Sequence, residues 1–330
     1  MRSLLSLFTA AALMVGATST AQAEDRVVCV YDPGGRSGAA WLLAQEMAVE
    51  ATAQGVKLEL RPYTDEATAA SDLTARKCDA SVITGVRTRQ FKLRTYSLEA
   101  IGGLNDYAQL STTVKLLADE RLAGRLRSGD FETAAVFPAG SVYLYVRDRS
   151  WTNKADLAGR KIATLSFDPA ARTMVEHVGA SVVSADIGTF ANMFNNGQVD
   201  VCYAPATAYE PLELYRGLGT KGGIIRFPLS QLTLQLIIRH DRFPDGFGQW
   251  ARKWSAGRFD SAMKNVRASE GKVDAKYWQD IPAADKPMYD EMFGDVRQQL
   301  QDKGVYDAFI LGLLRRVRCQ HDATRPECIK

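Results

Sequence analysis

Short apolar runs alternate along the chain with segments whose apolar positions recur every three or four residues. Residues Arg26–Tyr31, Val56–Leu60 and Ala80–Thr84 read as buried strands. Between the first two, Ala40, Leu43, Ala44, Met47 and Ala51 fall at i, i+3, i+4, i+7 and i+11, the spacing of one helix face, and Gly55 ends that helix. Residues 65–77 read as a second helix. This β-α-β-α-β order predicts a sheet with parallel strands and helices on both faces. Residues 106–127 read as mostly helical, and Val142–Val146 as a strand with Tyr143 and Tyr145 on one face.

A second alternating series begins near Trp151. Strands are expected at Lys161–Leu165, Ser181–Val183, Val199–Tyr203 and Ile224–Phe227, with helices at 170–178, 190–195 and 209–215 between them. A β-branched run, Leu232–Ile238, leads out, and beyond Pro244 the pattern is helical: Phe247, Trp250, Ala251 and Trp254 mark one face, Ile310, Leu313, Leu314 and Val317 another. Two α/β series with a helical tail predict two lobes. The crossings are expected to be extended, near residues 143–148 and 233–239, so that the tail returns to the first lobe. The expected division is 24–148 plus 237–330 for the first lobe and 149–236 for the second. Such a hinge permits closure around a ligand.

The first residues change the length that has to fold. Arg2 precedes an uncharged apolar run from Leu4 to Ala17, and Ala21-Gln22-Ala23 is a small-x-small cleavage site. A run of 14 residues is short for the roughly 20 needed to span a bilayer, so the segment reads as a secretory signal cleaved after Ala23. Export brings an oxidising compartment, where thiols pair. Of five cysteines, Cys319 and Cys328 enclose a short polar loop. Cys29 and Cys78 belong to neighbouring strand-like runs, so the expected disulfides are Cys29–Cys78 and Cys319–Cys328, with Cys202 a buried free thiol.

Charge adds little. Lys plus Arg number 41 against 38 acidic residues, which argues against a nucleic-acid binder. Nucleophile-elbow, phosphate-loop and zinc-helix motifs are missing from the sequence, and its three histidines offer no metal cluster. No enzyme activity and no cofactor are therefore expected. The most suggestive local feature is Asp32-Pro33-Gly34-Gly35-Arg36-Ser37-Gly38, between the first strand and the first helix. It reads either as a ligand loop, with Arg36 and Ser37 at a helix terminus suited to an anion, or as a tight turn in which Ser37 or Asp32 caps the helix. Thr84, Arg87 and Arg89 follow the third strand, where arginine forks suit carboxylates. In the second series, Phe167 and Arg172 follow a strand end, and Tyr143 and Tyr203 can line a cleft wall. These nine residues are the expected ligand contacts.

The segment 151–205 resembles the second lobe of the TRAP-type (DctP-like) periplasmic solute-binding proteins. It carries their strand entry as Asp156-Leu157-Ala158-Gly159-Arg160-Lys161-Ile162, then Gly179-Ala180, then Gly197-Gln198-Val199-Asp200. By layout the likeness spans the whole mature chain. It implies an α/β, two-lobed type II periplasmic-binding-protein fold with a hinge and a helical C-terminal segment. It further implies a monomeric receptor that captures a small polar or anionic solute and delivers it to a membrane transporter. Those receptors usually follow the Lys-Ile pair with an arginine that grips a carboxylate; here the position is Ala163. Arg172, Arg87, Arg89 or Arg36 can replace it, or the ligand is not a simple carboxylate. The stretches Cys29–Gly35 and Lys221–Leu232 are closer to a divergent subgroup, some members of which are associated with RND-type efflux and aminoglycoside resistance. The alternative role implied is a periplasmic accessory protein of such an efflux assembly; an exported hydrolase is the remote third. A cationic drug would favour an acidic cleft, whereas the expected cleft residues are mainly arginines and tyrosines.

Overall fold

The computed structural model describes residues 23–329, so residues 1–22 of the expected signal segment lie outside the described part. Among the described residues no helix is long and apolar enough to cross a membrane. The chain opens β1 (Glu24–Tyr31), α1 (Ala39–Ala51), β2 (Val56–Tyr63), α2 (Glu66–Thr74), β3 (Ala80–Thr84), α3 (Tyr107–Leu117) and β4 (Arg127–Ser128). It continues through β5 (Phe131–Val146), α4 (Lys154–Leu157), β6 (Lys161–Leu165), α5 (Pro169–His177), β7 (Ser181–Ala185), α6 (Ile187–Asn195), β8 (Val201–Pro205) and α7 (Tyr215–Leu218). Last come β9 (Gly223–Arg239), α8 (Phe247–Gly257), α9 (Phe259–Glu270), β10 (Trp278–Gln279), α10 (Lys286–Asp302) and α11 (Ala308–His321). The second-series segment expected to be helical at 209–215 is instead a run of turns, and α7 starts only at Tyr215.

The strands form one sheet in the order β2-β1-β3-β9-β5-β8-β6-β7, with β10 on β9 and β4 on β5. β1 is parallel to β2 and β3, and β6 is parallel to β7 and β8. The two parallel sets are joined by β5 and β9, which run antiparallel to each other along their length. β5 has 16 residues and β9 has 17, so each crossing is one continuous strand rather than a short linker. The far half of β9 pairs with β3 through Leu234–Ile238, and the near half faces the end of β5, which itself pairs with β8 through Val142–Val146. The α/β two-lobed architecture follows: one lobe hangs on each parallel set.

The middle of the crossing is irregular. The register shifts between Pro138 and Gly140 and again between Val142 and Leu144. Proline has no N–H to give to a ladder, and a bulge lets a strand bend there. Pro228 likewise lies between the paired stretches of β9. These breaks are why the sequence pattern shows only the ends of β5 and β9.

Apolar faces cover the sheet on both ends. Val28, Val30, Val82, Phe137 and Leu236 pack against Trp41 and Met47 of α1 and against Phe247, Ala251 and Trp254 of α8. α8 is further tied to β5 by the buried pair Arg252–Glu132 at 2.5 Å. The tail does not stay at that end. β10 pairs with Ile224 and Ile225 in the other half of β9, α10 packs beside α5, and α11 returns to α3. Cys29–Cys78 and Cys319–Cys328 are disulfide-bonded with Cα atoms 6.0 and 5.5 Å apart, and Cys202 is a buried free thiol. The first pair is possible because β1 and β3 are sheet neighbours.

Candidate functional site

A cavity of about 880 Å³ lies between the two lobes. That is within the range of sites for drug-sized molecules. Its wall draws on the carboxyl ends of the first parallel set (Tyr31, Asp32, Thr84), on those of the second (Leu165, Phe167, Tyr203), and on the crossing strands (Phe137, Val142, Leu232). Residues of α9 such as Ser261 and Asn265 complete it. Crevices at strand carboxyl ends are where open α/β sheets place ligands.

Of the nine expected contacts, Thr84, Phe167 and Tyr203 line this cavity. Arg87 stands just behind the wall. Its Nε donates to Glu66 Oε2 at 3.2 Å, and its guanidinium carbon sits 3.5 Å from the centre of the Phe167 ring. Arg36, Ser37, Arg89 and Arg172 are exposed and outside the lining, and Tyr143 is buried against Trp278 with ring centres 5.0 Å apart. Arg36 stacks over Trp41, and the Ser37 hydroxyl donates to the Gly34 carbonyl. Ala163 is fully buried in the second lobe's core and does not reach the cavity.

The glycine loop after β1 is a capped turn. Asp32 accepts from the backbone N–H groups of Gly34 (2.8 Å), Ala40 (2.8 Å) and Trp41 (3.2 Å). Its carboxylate fills the place where an anion would meet the start of α1, satisfying donors that a helix otherwise leaves free. Gly38 permits this: a Cβ there would lie 1.8 Å from Asp32 Oδ1. α5 is closed the same way, with Asp168 accepting from Ala170 and Ala171 at 3.0 and 3.1 Å. Two of the helix N-termini at the wall, those of α1 and α5, are therefore occupied by the chain's own aspartates.

The wall is acidic, not basic. Asp32, Glu46, Glu66, Glu99, Asp168 and Glu213 line it, and among the described lining residues there is no Lys, Arg or His. This departs from the expectation of arginines in the cleft, whereas tyrosines, Tyr203 among them, do line it. The side chains of Arg36, Arg89 and Arg172 turn to solvent, while Arg87 is held by a carboxylate. Burial pushes the carboxyls of Glu66 and Asp168 above the usual range, and lifts Glu99 to about 8. Glu66 nonetheless has the Thr84 N–H at 2.6 Å and Arg87 as partners. Tyr96 and Tyr203 approach Asp168 from opposite lobes, with hydroxyls 3.4 and 3.5 Å from its two oxygens. The Tyr203 hydroxyl also accepts the Leu165 N–H at 3.1 Å.

Glu66 and Glu99 were not among the expected contacts. Glu66 looks like an ordinary first-turn acid after the Asp65 cap. Glu99 carried the better signal, a lone charge inside Leu98-Glu99-Ala100-Ile101. The three histidines lie apart: His177 meets Gln299, His240 the Gly129 carbonyl, and His321 Thr112.

Comparison with known proteins agrees with the architecture. The chain superimposes on a TRAP periplasmic solute-binding protein from Desulfovibrio salexigens, solved with orotic acid, with a TM-score of 0.74 at 12% identity over 90% of this chain and 99% of that one. A TRAP periplasmic solute-binding protein from Bradyrhizobium, solved with galacturonate, gives a TM-score of 0.71 at 16% identity over 89% and 99%. These likenesses establish the two-lobed fold. In sequence the chain is 40% identical over 299 residues to the probable solute-binding protein AdeT1 of Acinetobacter baumannii, covering 91% of this chain and 98% of that protein. The family described as solute-binding protein AdeT 1/2 matches residues 43–330. A cavity between two lobes, walled by binding groups, is what such a family requires, and this chain belongs to the AdeT1/2 solute-binding proteins.

Proposed function

We propose that the protein is a periplasmic receptor which closes its two lobes over one small polar solute and hands it to a membrane transporter of the TRAP type. The observation that carries this is the inter-lobe cavity, walled by strand ends from both lobes and floored by the two crossing strands. The lobes correspond to residues 24–148 with 237–330 and to 149–236, with β10 and α10 reaching across. Thr84, Phe167 and Tyr203 contact the solute, and Arg87 acts by holding Phe167. The signal segment ending at Ala23 directs export. The structural neighbours from Desulfovibrio and Bradyrhizobium were solved with small carboxylic acids, which supports capture of a molecule of that size.

The test is a thermal-shift screen of the mature protein against organic acids, sugars, amino acids and amines. A specific solute at 100 times its Kd stabilises by about 2.7 kcal/mol. Solution scattering should then show a smaller radius of gyration with the solute bound. A library in which no small molecule raises the melting temperature would count against the receptor role. A transporter component that is captured equally well with and without solute would count against delivery.

A further inference from the structure

Resting on the receptor reading of the inter-lobe cavity, we infer that its solute is an organic cation, an ammonium group on an apolar body, and that Glu99 is the residue that receives the charge. The cavity offers an anion no counter-charge. The helix N-termini of α1 and α5 at its wall are filled by Asp32 and Asp168. Among the described lining residues none carries a positive charge, and the nearby guanidinium of Arg87 is engaged by Glu66 and Phe167.

Among the described residues Glu99 is the one buried wall carboxyl left half-satisfied. It is 6% exposed, and its Oε1 accepts from Gly85 N–H (3.1 Å), Thr233 N–H (2.6 Å) and the Thr233 hydroxyl (2.7 Å). Its Oε2 is buried without a hydrogen-bond partner among the described residues. A buried oxygen without a partner is costly, and such atoms mark places where a further group belongs. Gly85 is needed for this posture, since a Cβ there would lie 2.3 Å from Oε1. An ammonium donates and never accepts, so it matches an unpartnered carboxylate oxygen. The rest of the wall, with Val142, Leu165, Phe190 and Leu232, suits an apolar body.

The surroundings of Glu99 point the same way. The charged and titratable groups around it are the carboxyls of Glu66 and Asp168 and the phenols of Tyr96 and Tyr306; its three bonded donors are neutral. Its carboxyl is lifted to about 8, first by burial and then by those acids, as expected of a carboxyl without a counter-charge. A bound cation supplies that charge, so binding at neutral pH expels a proton from Glu99.

The experiment is titration calorimetry of the mature protein with matched triads: hexyl, phenylalkyl and naphthylalkyl bodies, each bearing an ammonium, a hydroxyl or a carboxylate. The ammonium member is expected to bind tightest. Its affinity should rise between pH 6 and 8, by at most about tenfold per unit, the limit for one proton. Measurements in buffers of different ionisation enthalpy should show net proton release. In Glu99→Gln the ammonium should weaken by roughly ten- to a hundredfold, with the hydroxyl member little changed. If that variant does not fold, the pH profile and proton count of the unaltered protein decide alone. Tightest binding by the carboxylate, or cation binding with no proton release, overturns this inference and leaves the receptor reading standing. Binding by no member of any triad overturns this inference too, while the receptor reading is decided by the thermal-shift screen.

Discussion

The guanidinium of Arg87, at the end of the first parallel set, lies face-on to the ring of Phe167, at the end of the second, 3.5 Å from its centre. The contact joins the two lobes beside the cavity mouth. It also couples to the interior, because Arg87 is the only basic partner of the fully buried Glu66 among the described residues. Removing either residue therefore tests a different link. Arg87→Ala strands a buried carboxyl and should cost about 3 kcal/mol in urea unfolding. Phe167→Leu keeps the ion pair, should cost less than about 1 kcal/mol, and should show its effect as a larger radius of gyration and a weaker ligand affinity. Equal losses of stability in the two variants would show that the pair acts only as packing.

The Asp32 cap and Gly38 form one unit. Asp32→Ala frees the N–H groups of Ala40 and Trp41 and should destabilise by about 1 kcal/mol. Gly38→Ala drives a methyl into the Asp32 carboxylate and should cost about 2 kcal/mol. The two must be non-additive, since removing the carboxylate removes the clash. Chemical denaturation of the double variant is the check: a sum of the single effects would mean the loop relaxes independently of the cap.

The disulfides should differ in weight. Cys29 and Cys78 are separated by 49 positions, Cys319 and Cys328 by 9. Loop-closure entropy in the unfolded chain then gives about 4 kcal/mol for the first and about 2.7 kcal/mol for the second. Serine substitution of each pair, followed by thermal unfolding, should show the larger fall in melting temperature for Cys29–Cys78.

Acid should loosen the C-terminal segment. Burial alone would raise the Glu327 carboxyl, but hydrogen bonds and charge from Arg318, with Arg325 and Arg297 nearby, outweigh it and bring it to about 2 from 4.5. A depressed carboxyl contributes stability that is present above its unfolded value and is lost as pH falls through the folded one. The loss should run from about pH 5 down to pH 2 in circular dichroism, with a shallower slope for Glu327→Gln. An identical acid slope in that variant would locate the sensitivity elsewhere.

Much of the fold is legible along the chain because it is local. Short apolar runs and helical spacing mark β1, β3, β6 and α1, and the Cys29–Cys78 pair follows from two strands that a β-α-β-α-β order makes neighbours. The crossing strands are only half legible, since Pro138, Gly140 and Pro228 interrupt the pattern at the bulges that let the lobes bend apart.

The sequence by itself determined the two α/β series, the disulfides and the membership of a solute-binding family, all carried by spacing and short motifs. Which side chains face the solute was decided only by the tertiary structure. Arg36 and Arg172 sit at the anticipated strand ends yet turn to water, because the buried carboxyls beside them, Asp32 and Asp168, are already satisfied by backbone N–H groups. Glu66 and Glu99, 33 positions apart, meet at the end of β3 because the backbone N–H groups of Thr84 and Gly85 donate to their carboxylates in the interior. A charge is solvated or buried according to the donors folded around it, and those donors come from distant segments.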